Sequence, residues 1–188
     1  MARRHQEIWY ALATIVAVTA LYALAYSRDG ALPRASSFVG HGIGIVGFVL
    51  ILMTETLYSI RKRVTDARWG SVSGWLRFHI FTGLVGPYLV LLHTAMRFQG
   101  LAGIAMLLTI VVVASGIVGR YVYTAVPRTV YVEATADGPE LERQAERLAA
   151  RRDTLSTWHA IHVPLTWAMI VAALAHAVAA LYYVTLAR

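Results

Sequence analysis

The 188-residue sequence contains no cysteine. That absence removes structural disulfides, thiolate-bound zinc, iron–sulfur clusters and covalently attached haem, so a bound metal has to be held by His, Met or carboxylate. Charge is scarce as well. Only 14% of residues are charged and 58% are hydrophobic, whereas soluble domains carry about 25% charged residues. Acidic side chains number 10 against 17 Lys and Arg, a formal net charge of +7. A basic balance of this kind can signal nucleic acid, but here the arginines sit at the ends of apolar segments rather than along an aromatic-interleaved face. They read as topology signals, and no nucleic-acid partner is expected.

What the sequence does have is length in apolar runs. Five stretches, about 7–26, 38–60, 75–97, 100–124 and 155–184, are each long enough to cross the hydrocarbon of a bilayer. The expected fold is therefore all-α, a polytopic membrane bundle of about five transmembrane helices forming one domain over 1–188, with the lipid bilayer as its first partner. The run after Arg3 and Arg4 resembles a signal peptide at its Ala23-Leu24-Ala25 end, but its apolar length favours a first membrane helix.

Alternate connections differ sharply in charge. One side carries thirteen Lys and Arg: Arg3, Arg4, Arg61, Lys62, Arg63, Arg68, Arg77, Arg120, Arg128, and the four arginines between 143 and 152. The other side carries Arg28, Arg34, Arg97 and Arg188. The positive-inside rule puts the N-terminus in the cytoplasm and the C-terminus outside. The one long connection, 126–154, is then cytoplasmic. It opens on Arg128-Thr129-Val130-Tyr131-Val132, which reads as extended, and continues into an amphipathic helix starting near Gly138-Pro139-Glu140. Leu141, Ala145, Leu148 and Leu155 fall near one stripe of that helix, which suits a cover over the cytoplasmic end of the bundle.

Seven histidines punctuate this apolar chain, and most lie in or at the ends of the spans. Ionisable groups in hydrocarbon are costly and default to functional candidates. His79 and His93 in the third span are fourteen residues apart, and so are His162 and His176 in the fifth. Fourteen residues leave two helical side chains about 40° from eclipsed and about 21 Å apart along the axis. The third and fifth spans run in the same direction, so His79 comes level with His162 near the cytoplasmic face and His93 level with His176 near the outer face.

One imidazole from each of two helices fills both axial positions of a flat iron macrocycle lying between them. The expectation is two bis-histidine haems, the inner iron on His79 and His162 and the outer iron on His93 and His176. Packed core histidines bonded to neighbouring hydroxyls are the plainer alternative for any one of them. Zinc fits less well, because a facing pair supplies only two ligands.

Further residues are candidates to line the cofactors. His159, three residues before His162, competes for the inner iron or meets a propionate. His41 opens the second span within Gly40-His41-Gly42-Ile43-Gly44, where small residues admit a close helix or a flat ring, and could bond a propionate or a quinone. Arg77 and Arg120 are candidates for inner propionates and Arg97 for the outer ones, with ordinary snorkelling as the alternative. Glu55, a carboxylate inside the second span, is assigned to an ion pair with Arg61 or Arg63, with proton carriage as the alternative.

These four histidines and their helix placement resemble the transmembrane haem domain of the ferric reductase and NADPH oxidase superfamily. The resemblance covers most of the chain and implies two b-type haems and electron movement from a cytoplasmic flavin donor outwards. The sequence ends after the fifth span, so the sixth helix and the flavin and nicotinamide domains of those enzymes are not part of it. In this it is also similar to free-standing bacterial membrane haem subunits, including one that serves a periplasmic methionine-sulfoxide reductase.

The resemblance implies a multi-pass protein of the bacterial cytoplasmic (inner) membrane. It would be an electron-transfer subunit of a redox complex rather than a catalyst by itself, fed by a separate flavoprotein or a quinol and drained by an extracytoplasmic cytochrome or reductase. Two other classes stay open: a stand-alone quinol-oxidising or metal-reducing enzyme with its site beside the outer haem, and a non-redox metal transporter.

Overall fold

A computed structural model describes residues 6–30, 35–64, 70–125 and 138–185. Five α-helices follow one another: α1 (Gln6–Asp29), α2 (Phe38–Arg63), α3 (Val72–His93), α4 (Gly100–Ala125) and α5 (Gly138–Thr185). No strand occurs among the described residues. All five helices are long and apolar enough to cross a membrane. Their outward faces carry large apolar side chains such as Val16, Phe38, Leu107 and Val178, a pattern that suits acyl chains as the surrounding solvent.

Each helix start and stop has a local cause. Ser37 caps α2 and Ser71 caps α3, each hydroxyl accepting from the amide three residues on, Gly40 and Gly74. The basic Arg61-Lys62-Arg63 end of α2 complements the negative end of the helix dipole. Arg61 also donates to the carbonyls of Gly70 and Val64, at 3.1 and 2.9 Å, so it closes the approach to α3. Of the two arginines expected to pair with Glu55, Arg61 thus directs its Nε and Nη1 to backbone carbonyls.

Two boundaries differ from expectation. The third span stops at His93 rather than at residue 97, because Ala95 and Met96 adopt left-handed φ of 46° and 61°, which cannot continue a right-handed helix. The amphipathic segment placed in the loop and the fifth span are one helix of 48 residues. At 1.5 Å per residue that is about 72 Å, more than twice the thickness of the hydrocarbon core. The extended-looking segment at 128–132 lies outside the described residues, as do the side chains of Leu141 and Leu148.

The chain forms two compact units, Met1–Met106 and Leu107–Arg188. In the first, α3 is central. Ala11 of α1 and Val85 and Leu89 of α3 form a buried cluster, flanked by Val18, Ile43, Leu50, Phe81 and Leu84. Hydroxyl contacts tie α1 to α3: Thr19 meets the Tyr88 hydroxyl, and Tyr22 donates to the Leu92 carbonyl at 3.4 Å.

Between α2 and α3 the hydroxyls of Thr54 and Thr82 lie 2.7 Å apart, both buried. A double-mutant cycle on Thr54→Val and Thr82→Val is expected to give a coupling of about 0.6 kcal/mol by reversible unfolding in detergent, in line with interhelical hydroxyl bonds in membranes. The value stays modest because each hydroxyl keeps a bond to its own helix, at Leu50 and Phe78. A coupling indistinguishable from zero would show that the pair only fills space.

Candidate functional site

The two histidines of α3 are held by α2 in the same way. His79 Nδ1 lies 2.9 Å from the Thr54 carbonyl oxygen, and His93 Nδ1 lies 2.8 Å from the Gly40 carbonyl oxygen. The acceptors are themselves fourteen residues apart, and midway between them Gly47 faces Gly86 backbone to backbone. Seven residues on one helix thus match seven on the other, an antiparallel register that small residues make possible. A Cβ at Gly47 would come within 2.9 Å of the Gly86 carbonyl oxygen, and one at Gly86 within 3.1 Å of the Gly47 oxygen. One at Gly44 would come within 2.8 Å of the His93 ring. Gly44, singled out in the sequence, therefore admits the His93 imidazole, and Gly47 and Gly86 admit the neighbouring helix.

This bonding decides which ring nitrogen carries the proton. A carbonyl oxygen only accepts, so Nδ1 of His79 and of His93 must donate, and the neutral ring keeps its lone pair on Nε2. A carbonyl bonded to Nδ1–H is the usual outer support of a metal-bound imidazole, because it fixes both the tautomer and the ring plane. Both rings are half-buried. The Tyr58 ring tilts against His79 with centroids 5.2 Å apart, and His41 meets His93 edge-on at 6.2 Å. His41 itself is exposed and turns its Nδ1 to the Ser37 carbonyl of its own helix at 3.1 Å.

In the second unit, His162 is buried on α5 and its Nδ1 lies 2.8 Å from the Ser115 hydroxyl of α4. One turn earlier Trp158 stacks on the His162 ring, with centroids 4.7 Å apart and planes 22° apart, and donates its Nε1–H to the Ser115 carbonyl at 2.8 Å. Trp158 lies so close over Gly119 that a Cβ there would fall into the indole ring. His159 is exposed, with its Nδ1 3.1 Å from the Leu155 carbonyl of its own helix and its ring edge-on to Trp158. Of the two rivals for the inner position, His162 is held by α4. His176 stands half-buried fourteen residues further along α5.

The arginines separate. Arg77 lies about 160° around α3 from His79, and it lines a cleft with residues of α1. Arg97 is exposed in the turn after α3, its amide bonded to the Thr94 carbonyl. Arg120 is half-buried near the end of α4. Among the described residues no three His, Asp or Glu side chains converge as a metal cluster. His79 and His93 stand fourteen residues apart on α3, and His162 and His176 fourteen apart on α5.

Reading the sequence missed Ser115, Trp158, Tyr58 and the carbonyls of Gly40 and Thr54. The position of Trp158 one turn before His162 was a usable signal, whereas backbone acceptors leave none. No family model matches the chain, and no match is found to a curated protein or to a solved structure. The fold defines an all-helical, multi-pass membrane protein with histidines held from within its spans.

Proposed function

We propose that the chain is a dihaem b-type membrane cytochrome that carries electrons across a bacterial inner membrane, as a subunit of a redox complex. The observation that carries this reading is the repeated support of His79 and His93. Two imidazoles in one span each give Nδ1–H to a carbonyl of α2, so each keeps Nε2 as the nitrogen able to bind iron. A histidine kept only for packing has no need of the same tautomer twice at the same spacing.

The residues present fit the group. His79 with His162 would hold the inner haem and His93 with His176 the outer one, a pairing that rests on the equal fourteen-residue spacings and the common direction of the third and fifth spans. Bound iron supplies one-electron exchange between its ferric and ferrous states. With two histidines of this chain on each iron, the group would supply electron transfer rather than substrate chemistry at the metal. This chain's residues supply orientation: Thr54 and Gly40 set the α3 rings, Ser115 and Trp158 set His162, and Arg120 would meet an inner propionate. The donor is a cytoplasmic flavoprotein or a quinol, and the acceptor an extracytoplasmic cytochrome or reductase.

The visible spectrum of the purified protein, with pyridine haemochrome quantitation, tests the reading. Two b-type haems per chain are expected. A colourless protein sinks the proposal in favour of a metal carrier, and a single haem sinks the two-centre arrangement.

A further inference from the structure

The second span holds a carboxyl that the haem reading does not use. Glu55 lies eight residues before the Arg63 end of α2, about 12 Å along the axis. In a helix of 26 residues that depth falls within the hydrocarbon. The side chain is half-buried. Arg61, six residues on, gives Nε and Nη1 to the carbonyls of Gly70 and Val64. Among the described residues Glu55 takes part in no ion pair or hydrogen bond.

The donors nearest to it in the chain are committed elsewhere. The Thr54 hydroxyl is engaged by the Leu50 carbonyl and the Thr82 hydroxyl, and the Thr56 hydroxyl donates to the Leu52 carbonyl. On α3, the helix packed against α2, His79 turns its Nδ1 to the Thr54 carbonyl and Arg77 lines the cleft with α1. An ionised carboxylate only accepts, so at this depth it needs donors, whereas the neutral acid carries its own.

We infer that Glu55 is a proton-binding site inside the membrane: it stands as the neutral carboxylic acid and exchanges that proton with water. Acids placed in this way are the stations of intramembrane proton relays. Ser59 lies one turn further on the same face and is exposed, and Lys62 and Arg63 end the helix beyond it. Polar groups thus lead from Glu55 to the aqueous boundary. A metal ion is the other cation a carboxyl could take, but it needs several ligands together, and no three His, Asp or Glu side chains converge among the described residues. A proton needs one oxygen. Neither the acid nor its exchange involves iron, so the inference stands apart from the haem reading.

Full-length protein in phosphatidylcholine nanodiscs at neutral pH tests this with two measurements. The infrared spectrum is expected to contain the carbonyl band of a protonated acid that is missing from Glu55→Gln and moves to lower frequency after transfer to D2O. The second probe is dicyclohexylcarbodiimide, an apolar reagent for protonated carboxyls. The acid proton passes to a carbodiimide nitrogen, the carboxyl oxygen bonds the central carbon, and acyl shift to nitrogen leaves a stable N-acylurea with nothing expelled. Peptide mass spectrometry should locate this adduct on Glu55 and find it lost in Glu55→Gln, while Glu55→Asp retains band and adduct. Absence of the band or of the adduct at Glu55 overturns the inference and points to a carboxylate paired with a cation. A band that does not move in D2O overturns the exchange with water. Should Glu55→Gln fail to fold, the position of the adduct in the unaltered protein decides alone. A colourless protein would overturn the haem reading and leave both signals in place.

Discussion

Replacing His162 with alanine is expected to halve the haem recovered per chain, whereas His159→Ala leaves both haems in place. The two residues are three apart on α5 and chemically identical, so composition cannot rank them. Their surroundings do. His162 is 8% exposed, bonded to Ser115 of α4 and stacked under Trp158. A buried imidazole held on two sides loses little further freedom when it binds iron, which is the advantage of a preorganised ligand. His159 is exposed and spends its Nδ1 on a carbonyl of its own helix, so recruiting it would mean turning the ring out of that arrangement.

Pyridine haemochrome assay of the two variants, with protein quantified independently, distinguishes them. Loss of one haem from His159→Ala with full occupancy in His162→Ala would reverse the assignment. Trp158→Phe gives a finer reading within the same experiment: the stack survives but the bond to the Ser115 carbonyl does not. Haem content should hold while the low-spin electron paramagnetic resonance of the inner haem shifts with the altered ring plane.

How much of this could be read before the structure differs from element to element. The five helices were legible because membrane spans declare themselves by uninterrupted apolar length, a signal independent of packing. The boundary drawn at 155 failed for a related reason. Hydropathy changes there, but helicity does not, since no glycine occurs from 139 to 185 and only Pro164 interrupts the run after Pro139. A helix leaving the membrane meets water without having to stop. The end of α3 at His93 was hidden for the opposite reason, because the left-handed turn falls on Ala95 and Met96, residues that carry no turn signature.

Of the site, the histidine spacing was plain, but what holds the rings was not. Backbone carbonyls exist at every position, and only the α2–α3 register shows that those of Gly40 and Thr54 are used. The same applies to Arg77. Its place two residues before His79 suggested a shared ligand, while helix geometry turns it to the opposite side, towards Glu7. Nearness in sequence within a helix is a poor guide to shared function unless the separation is three, four or seven residues.

That register leads to the second large effect, at a residue between the two histidine supports. Gly47→Val should lower stability and deplete both haems together. A Cβ at position 47 would meet the Gly86 carbonyl oxygen at 2.9 Å, Val90 Cγ2 at 2.9 Å and Leu89 Cβ at 3.0 Å. Two of these atoms are main chain or anchored directly to it, so they cannot swing aside, and valine adds two further methyl groups. Overpacking of this kind costs about 1–3 kcal/mol when the surroundings yield, and here the only yielding motion is separation of α2 from α3. Gly47 lies midway between the two carbonyls that hold His79 and His93, so separation there stretches both bonds at once. A histidine-to-alanine change at either end would disturb one centre only.

Gly42→Ala is the matched control on the same helix, because nothing lies within 4 Å of a Cβ at that position. It should keep wild-type unfolding temperature and haem content. Thermal unfolding in detergent followed at the Soret band, with haem quantitation of each variant, reads both quantities. Full haem occupancy and unchanged unfolding in Gly47→Val would mean that α2 does not set the α3 histidines for iron.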